Sequence, residues 1–567
     1  MLDVLKQTAA AMTAPDQMFA ITEAEVCGNM MKTWANAPGS LRDLWLSTTV
    51  HGEKDYLVYG DERWTYNQAH EQVARIANWL TFQGIRQHDR VAIAMRNYPE
   101  WLLCNWAIAS IGAVTVGVNA WWVAKELKFG LNDSQAKMLI CDAERLSRFS
   151  EIAEQFSKLP VVAVRVDEAP KWTTPWRDVL KTEPSMPSVT IDPDDDVCIF
   201  YTSGTTGFPK GAQLTHRSCV NQLLSSLFIS LSQGTANALI KGEQPPNPMD
   251  PNAVPPAGLV ATPLFHVTAM NGLAHSVTAS GGKLVHMYKW DAGEALRLIE
   301  QEKITNFSGV PLMGRELINH PDFNSRDISS LTTLGGGGAP VQPDLIEKID
   351  RVGGHAVPAQ GYGLTETCGI ATGSYGAFLT NKPNSAGLIV PVCEIKTIDE
   401  QGDDLPPGEI GEICIYGPHI IKGYLNRPKA TAETIVNGWL HTGDIGYIDG
   451  DNFVYLVDRA KDMVLRGGEN IYSSEVEAAI YSHPAVAECA VFSVPDERLG
   501  EEVGCAIFPA AGTEINSETL RDYLREKLAA FKIPCYMWIV EQPLPQNASG
   551  KFVKRDLQER LDIADAQ

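Results

Sequence analysis

The stretch Tyr201-Thr-Ser-Gly-Thr-Thr-Gly-Phe-Pro-Lys-Gly211 constrains the fold more than any other part of the chain. It follows an apolar, β-prone run, Val197–Tyr201, and precedes Leu214-Thr215-His216 and a helical pattern through Leu223, Leu224 and Leu227. The order predicts strand, polar loop, then helix. Glycines such as Gly204 let backbone N–H groups approach an anion closely. The hydroxyls of Thr202, Ser203, Thr205 and Thr206 can donate to it, and Lys210 adds charge. A plain surface turn also favours Gly, Ser and Thr, but it needs no terminal lysine and no such density of donors. The loop is not a Walker A motif, because Pro209 precedes Lys210 and Gly211 follows it where Gly-Lys-Ser/Thr is required.

Around this loop, helical patterns alternate with short apolar runs such as Val91–Met95, which points to parallel α/β layers. Thr65 reads as the N-cap of an amphipathic helix over 69–80. The uncharged run 101–123 is long enough to span a bilayer. Pro99-Glu100 looks like a helix start, Gly112 a stop, and Val114-Thr-Val116 a strand, so a buried helix and strand are expected instead. The first fifty residues are mixed and weakly informative. Gly234–Gly258, rich in proline, is expected to be a long loop with no chemistry of its own.

With 567 residues, 44% of them hydrophobic, the chain has the length for more than one domain. The net charge of −22 argues against a nucleic-acid partner and an anionic membrane surface. Eleven cysteines are scattered singly, with no Cys-x-x-Cys, which suits a reducing cytoplasm. Residues 1–20 carry acidic groups and no sustained apolar core, so no signal peptide is expected.

Further turns repeat the small-residue theme. Four glycines run from Gly335 to Gly338, before Ala339 and Pro340, an entropically costly backbone suited to a flat ring packed on main chain. In Gly361-Tyr-Gly363-Leu-Thr-Glu366, Tyr362 offers a stacking face, Thr365 a phosphate donor, and Glu366 a hard oxygen ligand suited to a divalent cation. Asp444, in Gly438-Trp-Leu-His-Thr-Gly-Asp444, can accept two hydrogen bonds from a sugar. Ser473 or Ser474 reads as the cap of a helix from Glu475, and Gly550-Lys551 lies near the end of the chain.

In order and spacing these motifs resemble the adenylate-forming superfamily, most closely its acyl-CoA synthetases, over about residues 40 to 555. The resemblance implies a large N-terminal domain, residues 1–457, of layered α/β sheets with a β-barrel-like part. A small mobile α+β domain, 458–567, follows. It implies an AMP-forming acid–CoA ligase: a carboxylate attacks the α-phosphate of ATP, and coenzyme A then displaces AMP. Residue by residue it implies Lys551 as catalytic lysine and His266 beside the carboxylate and α-phosphate. Gly338, Ala339 and Pro340 would lie on adenine, and Asp444 and Arg459 on ribose. Asp458 would be the hinge, and Gly467 and Gly468 would line the pantetheine tunnel. The acid pocket falls on Phe265, Val267, Met270, Asn271, Gly309, Val310, Gly336, Gly337, Gly361, Cys368 and Gly369. That lining is mainly apolar or small, with no lysine or arginine, which favours a hydrophobic monocarboxylic acid, fatty or aryl-substituted.

Three departures stand out: Ser474 replaces a common proline, Arg466 a common lysine, and Asn547-Ala-Ser549 the usual residues before Gly-Lys. The partners implied are ATP, Mg2+, coenzyme A and the acid, with no nucleic acid and no transmembrane segment; a homodimer stays open. The alternatives are an adenylating enzyme that uses a carrier protein or amine as acceptor, and a non-catalytic acyl-binding relative.

Overall fold

The Pro99–Ser110 helix shows how the chain builds its centre: all twelve residues are buried. Gly112, at φ 70°, turns the chain back, and Val114–Gly117 follows as a fully buried strand. The uncharged run is thus core through Val118, as expected, while Trp121 and Val123 at its end are exposed. The computed structural model describes the whole chain except residues 203–208, 248–249, 251–253, 340, 352–355, 468 and 549.

Among the described residues the strands form four sheets. In the eight-stranded sheet, Asp196–Thr202, Val114–Gly117, Arg90–Ala94, Met138–Asp142 and Val161–Val164 run parallel. The fourteen-stranded sheet has a parallel half, from Asp55–Tyr59 through Lys283–His286, Ala257–Val260, Asn306–Gly309 and Thr333–Gly337 to Val357–Tyr362. Its other half, from Thr372–Tyr375 through Phe453–Arg459 and Trp439–Ile448 to Glu394–Ile398, is antiparallel. This antiparallel arm is the part expected to be barrel-like, and its described ladders run as an open path. The helix Tyr66–Phe82 lies in the main core, its start fixed by a Thr65–Gln68 capping box. A five-stranded sheet within 464–539, with the helices Ser473–Tyr481 and Ser517–Arg525, has its own apolar core and forms the small C-terminal part.

Four expectations change. The 201–211 loop joins two strands instead of a strand and a helix: Lys210–Thr215 pairs antiparallel with Asp196–Thr202, and the helix starts only at His216. The reason is Thr215, whose side chain accepts from Ser218 N–H and caps that helix. Second, the helix runs on to Lys241, so the expected loop loses its first eight residues. Gly234 is tolerated inside it, and Gly242 in the left-handed region ends it. This helix is long and apolar enough to cross a membrane. Yet Gln233, buried within it, donates to Gly373 O and accepts from Tyr375 N–H, as a core helix does. Third, the first fifty residues hold regular structure: Leu2–Met12 packs along the His216–Lys241 helix, and Ile21–Val26 pairs with Asn29–Trp34. Fourth, neither Ser473 nor Ser474 is the N-cap; their hydroxyls bond Asp462 O and Val457 O, and the helix opens at Ser473 behind Tyr472.

Candidate active site

The two sheets and the C-terminal part bring distant motifs together. Gly423–Tyr424 pairs with Lys210–Thr215 at the edge of the eight-stranded sheet. That edge sets the Lys210 ammonium 4.2 Å from the centre of the Tyr424 ring. The Tyr424 hydroxyl donates to Glu366 Oε1 at 2.6 Å, and Ile421 N–H donates to the Glu366 carbonyl. Burial and the Glu366 charge raise the Tyr424 pKa, so the phenol stays a donor. Lys210 and Glu366, more than 150 residues apart in sequence, thus share one tyrosine. Sequence reasoning missed Tyr424, because nothing in Gly423-Tyr-Leu425 marks it beyond an ordinary strand residue.

The glycine runs are strand, not free loop. Gly335–Gly337 ends the Thr333–Gly337 strand, and a Cβ on Gly336 would lie 1.7 Å from Gly309 O. On Gly335 it would lie 2.3 Å from Ala359 O, and on Gly363 1.7 Å from Gly369 O. Backbone approach to neighbouring backbone requires these glycines. Gly361, in the Val357–Tyr362 strand, would likewise meet Ile370 Cγ2 at 2.7 Å. Gly338, at φ 85°, faces a different neighbour: its Cβ would sit 3.3 Å from Lys551 Cε. Ala339 is exposed beside it.

Lys551 reaches this place from the C-terminal part. Gly550, at φ 80°, packs so tightly on Val310 that a Cβ would meet Val310 Cγ2 at 2.9 Å. Burial first, then the Arg459 charge, pulls the Lys551 ammonium down to about 8, while Asp444 and Glu366 pull the other way. His266 is pushed down to about 4, by burial first and the Lys551 charge second. Its imidazole is therefore neutral at neutral pH, and its buried Nε2 has no hydrogen-bond partner among the described residues, as suits a group facing a substrate.

Asp444 is almost fully buried. Tyr362 Oη donates to its Oδ2 at 2.8 Å, and Arg459 Nε lies 3.1 Å from its Oδ1. Arg459 and Asp444 are paired across the Trp439–Ile448 and Phe453–Arg459 strands. One residue back, the Asp458 carboxylate accepts from Arg459 N–H at 2.7 Å and from Ser473 N–H, the first residue of the C-terminal helix. Burial raises its pKa.

Of the residues expected to line an acid pocket, most are core. Phe265, Val267, Met270, Val310 and Cys368 are buried. Met270 and Asn271 sit on a π-helical segment, Thr268–Ala274, a form that often marks functional sites. Asn271 Nδ2 donates to Cys368 O at 2.8 Å, tying this segment to the turn after Glu366. Thr365 opens that turn, Thr365–Thr367. Thr202 pairs with Lys210 at the neck of the hairpin. Gly467 lies exposed on the turn after Val464–Arg466. Ser203, Gly204, Thr205, Thr206, Pro340 and Gly468 lie outside the described residues.

This convergence is that of a nucleotide-activating ligase. The chain belongs to the AMP-binding enzyme family: the model of that family matches residues 45–425, and that of its C-terminal domain matches 475–551. Its activity is that of an AMP-forming acid–CoA ligase. The chain is 37% identical to a feruloyl-CoA synthase of Amycolatopsis sp, over 89% of this chain and 95% of that protein. It is 32% identical to 4-coumarate–CoA ligase 3 of Oryza sativa subsp. japonica, over 90% of each. Among solved structures, o-succinylbenzoate CoA synthetase from Bacillus subtilis, with its acyl-adenylate, is 28% identical with a TM-score of 0.75 over 91% of this chain and 97% of that one. The fold also matches anthranilate CoA ligase in complex with anthranoyl-AMP, with a TM-score of 0.83 at 24% identity over 92% and 96%.

Proposed function

We propose that this chain activates a hydrophobic aryl acid of the hydroxycinnamate type. ATP converts it to the acyl-adenylate, and coenzyme A then takes the acyl group. One observation carries the reading: Lys551, from the C-terminal part, lies half-buried against Gly338 within the electrostatic reach of Arg459, Asp444 and Glu366. The aryl preference is supported by an apolar set of lining residues without a cation, and by relatives named for feruloyl and coumarate substrates.

The chemistry has to bring a carboxylate onto a polyphosphate, anion onto anion. In the adenylating half the Lys551 ammonium offsets charge building on the carboxylate and α-phosphate. Lys210 serves the phosphates, and neutral His266 offers a ring nitrogen to the acid. Preorganised donors of this kind contribute on the order of a hundred- to a thousandfold each. Asp444 and Arg459 hold the ribose. Glu366, whose Oε1 takes the Tyr424 hydroxyl, keeps a second oxygen for the Mg2+ that accompanies ATP, and that ion would mask phosphate charge. No side chain acts as nucleophile, since the substrates supply both.

The thiol needs the space that Lys551 fills. Rotation of 458–567 about Asp458 withdraws it and brings Gly467 and Gly468 to the thiol's path. The eleven free cysteines suit the reducing cytoplasm.

Pyrophosphate release on a panel of alkyl and aryl acids, with and without coenzyme A, tests the reading. Turnover is expected with hydroxycinnamic acids, with acyl-CoA appearing only when the thiol is present. A preference for long alkyl acids would overturn the aryl assignment, and acyl-AMP that reacts with amines but not with coenzyme A would overturn the acceptor.

A further inference from the structure

We infer that Glu412 is a positioning residue that aims Asp444 at the ribose of ATP; the inference rests on the ribose role proposed above for Asp444.

The two strands that carry these residues, Gly411–Tyr416 and Trp439–Ile448, do not match in count. Glu412 pairs with Ile445, and Cys414 pairs with His441. One residue separates the pair on the first strand, and three, Thr442, Gly443 and Asp444, separate it on the second. The surplus must leave the ladder as a bulge, and bulges re-aim side chains next to active sites. Asp444 is the last residue of this bulge.

A bulge frees backbone groups that then need partners. Gly443, in the left-handed region at φ 68°, turns its N–H to Glu412 Oε1 at 2.9 Å. His441, at the other end of the surplus, brings Nδ1 to within 3.2 Å of Glu412 Oε2. One carboxylate thus spans the whole kink with both oxygens. Hydrogen bonds from backbone N–H to an ionised carboxylate are among the stronger ones. The Thr442 hydroxyl completes the clamp: it donates to Ile413 O at 2.7 Å and accepts from Asp444 N–H at 3.0 Å. On the far side, Ala460 N–H donates to Gly443 O at 3.0 Å. Every hydrogen bond named here bears on the backbone at or just before Asp444; its own oxygens take Tyr362 Oη and Arg459 Nε, and each carboxylate oxygen keeps a further lone pair for a sugar hydroxyl.

Glu412, Cys414 and His441 also offer ligand atoms within 4.8 Å of one another. Both carboxylate oxygens already hold protein donors, and burial pushes the Cys414 thiol up to about 12, away from the thiolate a metal would take. The geometry therefore favours the clamp over an ion.

The test uses the full chain and compares ATP with 2′-deoxy-ATP and 3′-deoxy-ATP in pyrophosphate release with a hydroxycinnamic acid. Calorimetric binding of AMP against 2′-deoxy-AMP gives the same comparison without turnover. Wild type should prefer the ribonucleotide, and D444A should erase that preference. E412A is expected to raise KM for ATP about tenfold with a smaller change in kcat, and to shrink the preference several-fold. E412Q, which keeps an acceptor for Gly443 N–H, should recover most of it. If E412A does not fold, T442V carries the test, since it removes the clamp on Asp444 N–H and should shrink the same ratio. A merely structural defect lowers activity with both nucleotides alike. A wild-type ratio retained in E412A, or in T442V where E412A does not fold, overturns the positioning role and leaves the proposed function standing. A wild type that makes no acyl-adenylate, or that does not discriminate between the nucleotides, overturns the reading on which this role rests.

Discussion

Lys551 is a lysine held where its charge is least stable and most useful. Its pKa of about 8 means that half of the free enzyme loses the ammonium near that pH. The kcat/KM for acyl-adenylate formation, which reports on free enzyme, should fall as pH rises through about 8. A profile flat to pH 9.5 would remove Lys551 from the adenylating step. Lys551→Ala should cost acyl-adenylate formation on the order of a hundredfold or more. It should largely spare thioester formation from supplied acyl-adenylate; equal loss in both halves, measured separately, would refute the division of labour. At this scale the sequence was informative wherever a residue type is unusual for its neighbourhood. A lysine after glycine at the end of a chain, or a glutamate after Gly-Tyr-Gly-Leu-Thr, stands out. Tyr424 and Glu412 did not, because a tyrosine and a glutamate on strands are commonplace, and only the ladder partners of those strands give them work.

At the scale of elements, glycine was the residue most easily misread. A run of four suggests a flexible loop, yet Gly335–Gly337 is strand, and at Gly335 and Gly336 its backbone approaches neighbouring strands more closely than any Cβ permits. Flexibility in isolation and close packing in a sheet need the same residue, and spacing alone does not separate them. Gly336→Ala would place a methyl 1.7 Å from Gly309 O, so the parallel strands must separate. A loss on the order of 3 kcal/mol is expected in urea unfolding. An unchanged midpoint would show that the strands can part there freely. The hairpin at Lys210 teaches the same lesson in reverse. The periodicity of the helix after His216 was plain, but Gly211-Ala-Gln-Leu-Thr215 reads as a strand only once it has Asp196–Thr202 beside it. Where local chemistry fixed an element, as the Thr65 cap does, its place was legible: the helix expected over 69–80 runs Tyr66–Phe82, with Gln68 completing the box. Those fixed by a distant partner were not.

The molecule as a whole buries an unusual set of neutral imidazoles away from the proposed chemistry. Burial holds His216, His275 and His286 down to about 3, and His70 and His419 to about 4. They sit in the cores on which both large sheets depend: His70 stacks on Trp45, His275 lies beside Trp106, and His216 Nδ1 accepts from Leu41 N–H. In the unfolded chain each would titrate near 6.5. The folded pKa lies below the unfolded one, so the unfolded state binds more protons at every pH between them, and stability rises with pH over that interval. The contribution is complete above about 6.5 and drains away as pH falls toward 3 to 4. By pH 5 each imidazole accounts for about 2 kcal/mol, and five together for roughly 10, which is comparable to the whole stability of a typical domain. Unfolding midpoints in urea should therefore drop steeply between pH 6.5 and 5. The drop should follow the large sheets and largely spare the C-terminal core, which has none of these five residues. Substituting His275 with Phe, which removes the buried imidazole beside Trp106, should make the fall shallower by one proton's worth of slope. A midpoint that stays constant from pH 7 to 5, or a wild-type slope in His275→Phe, would show that these rings take up protons without unfolding the protein.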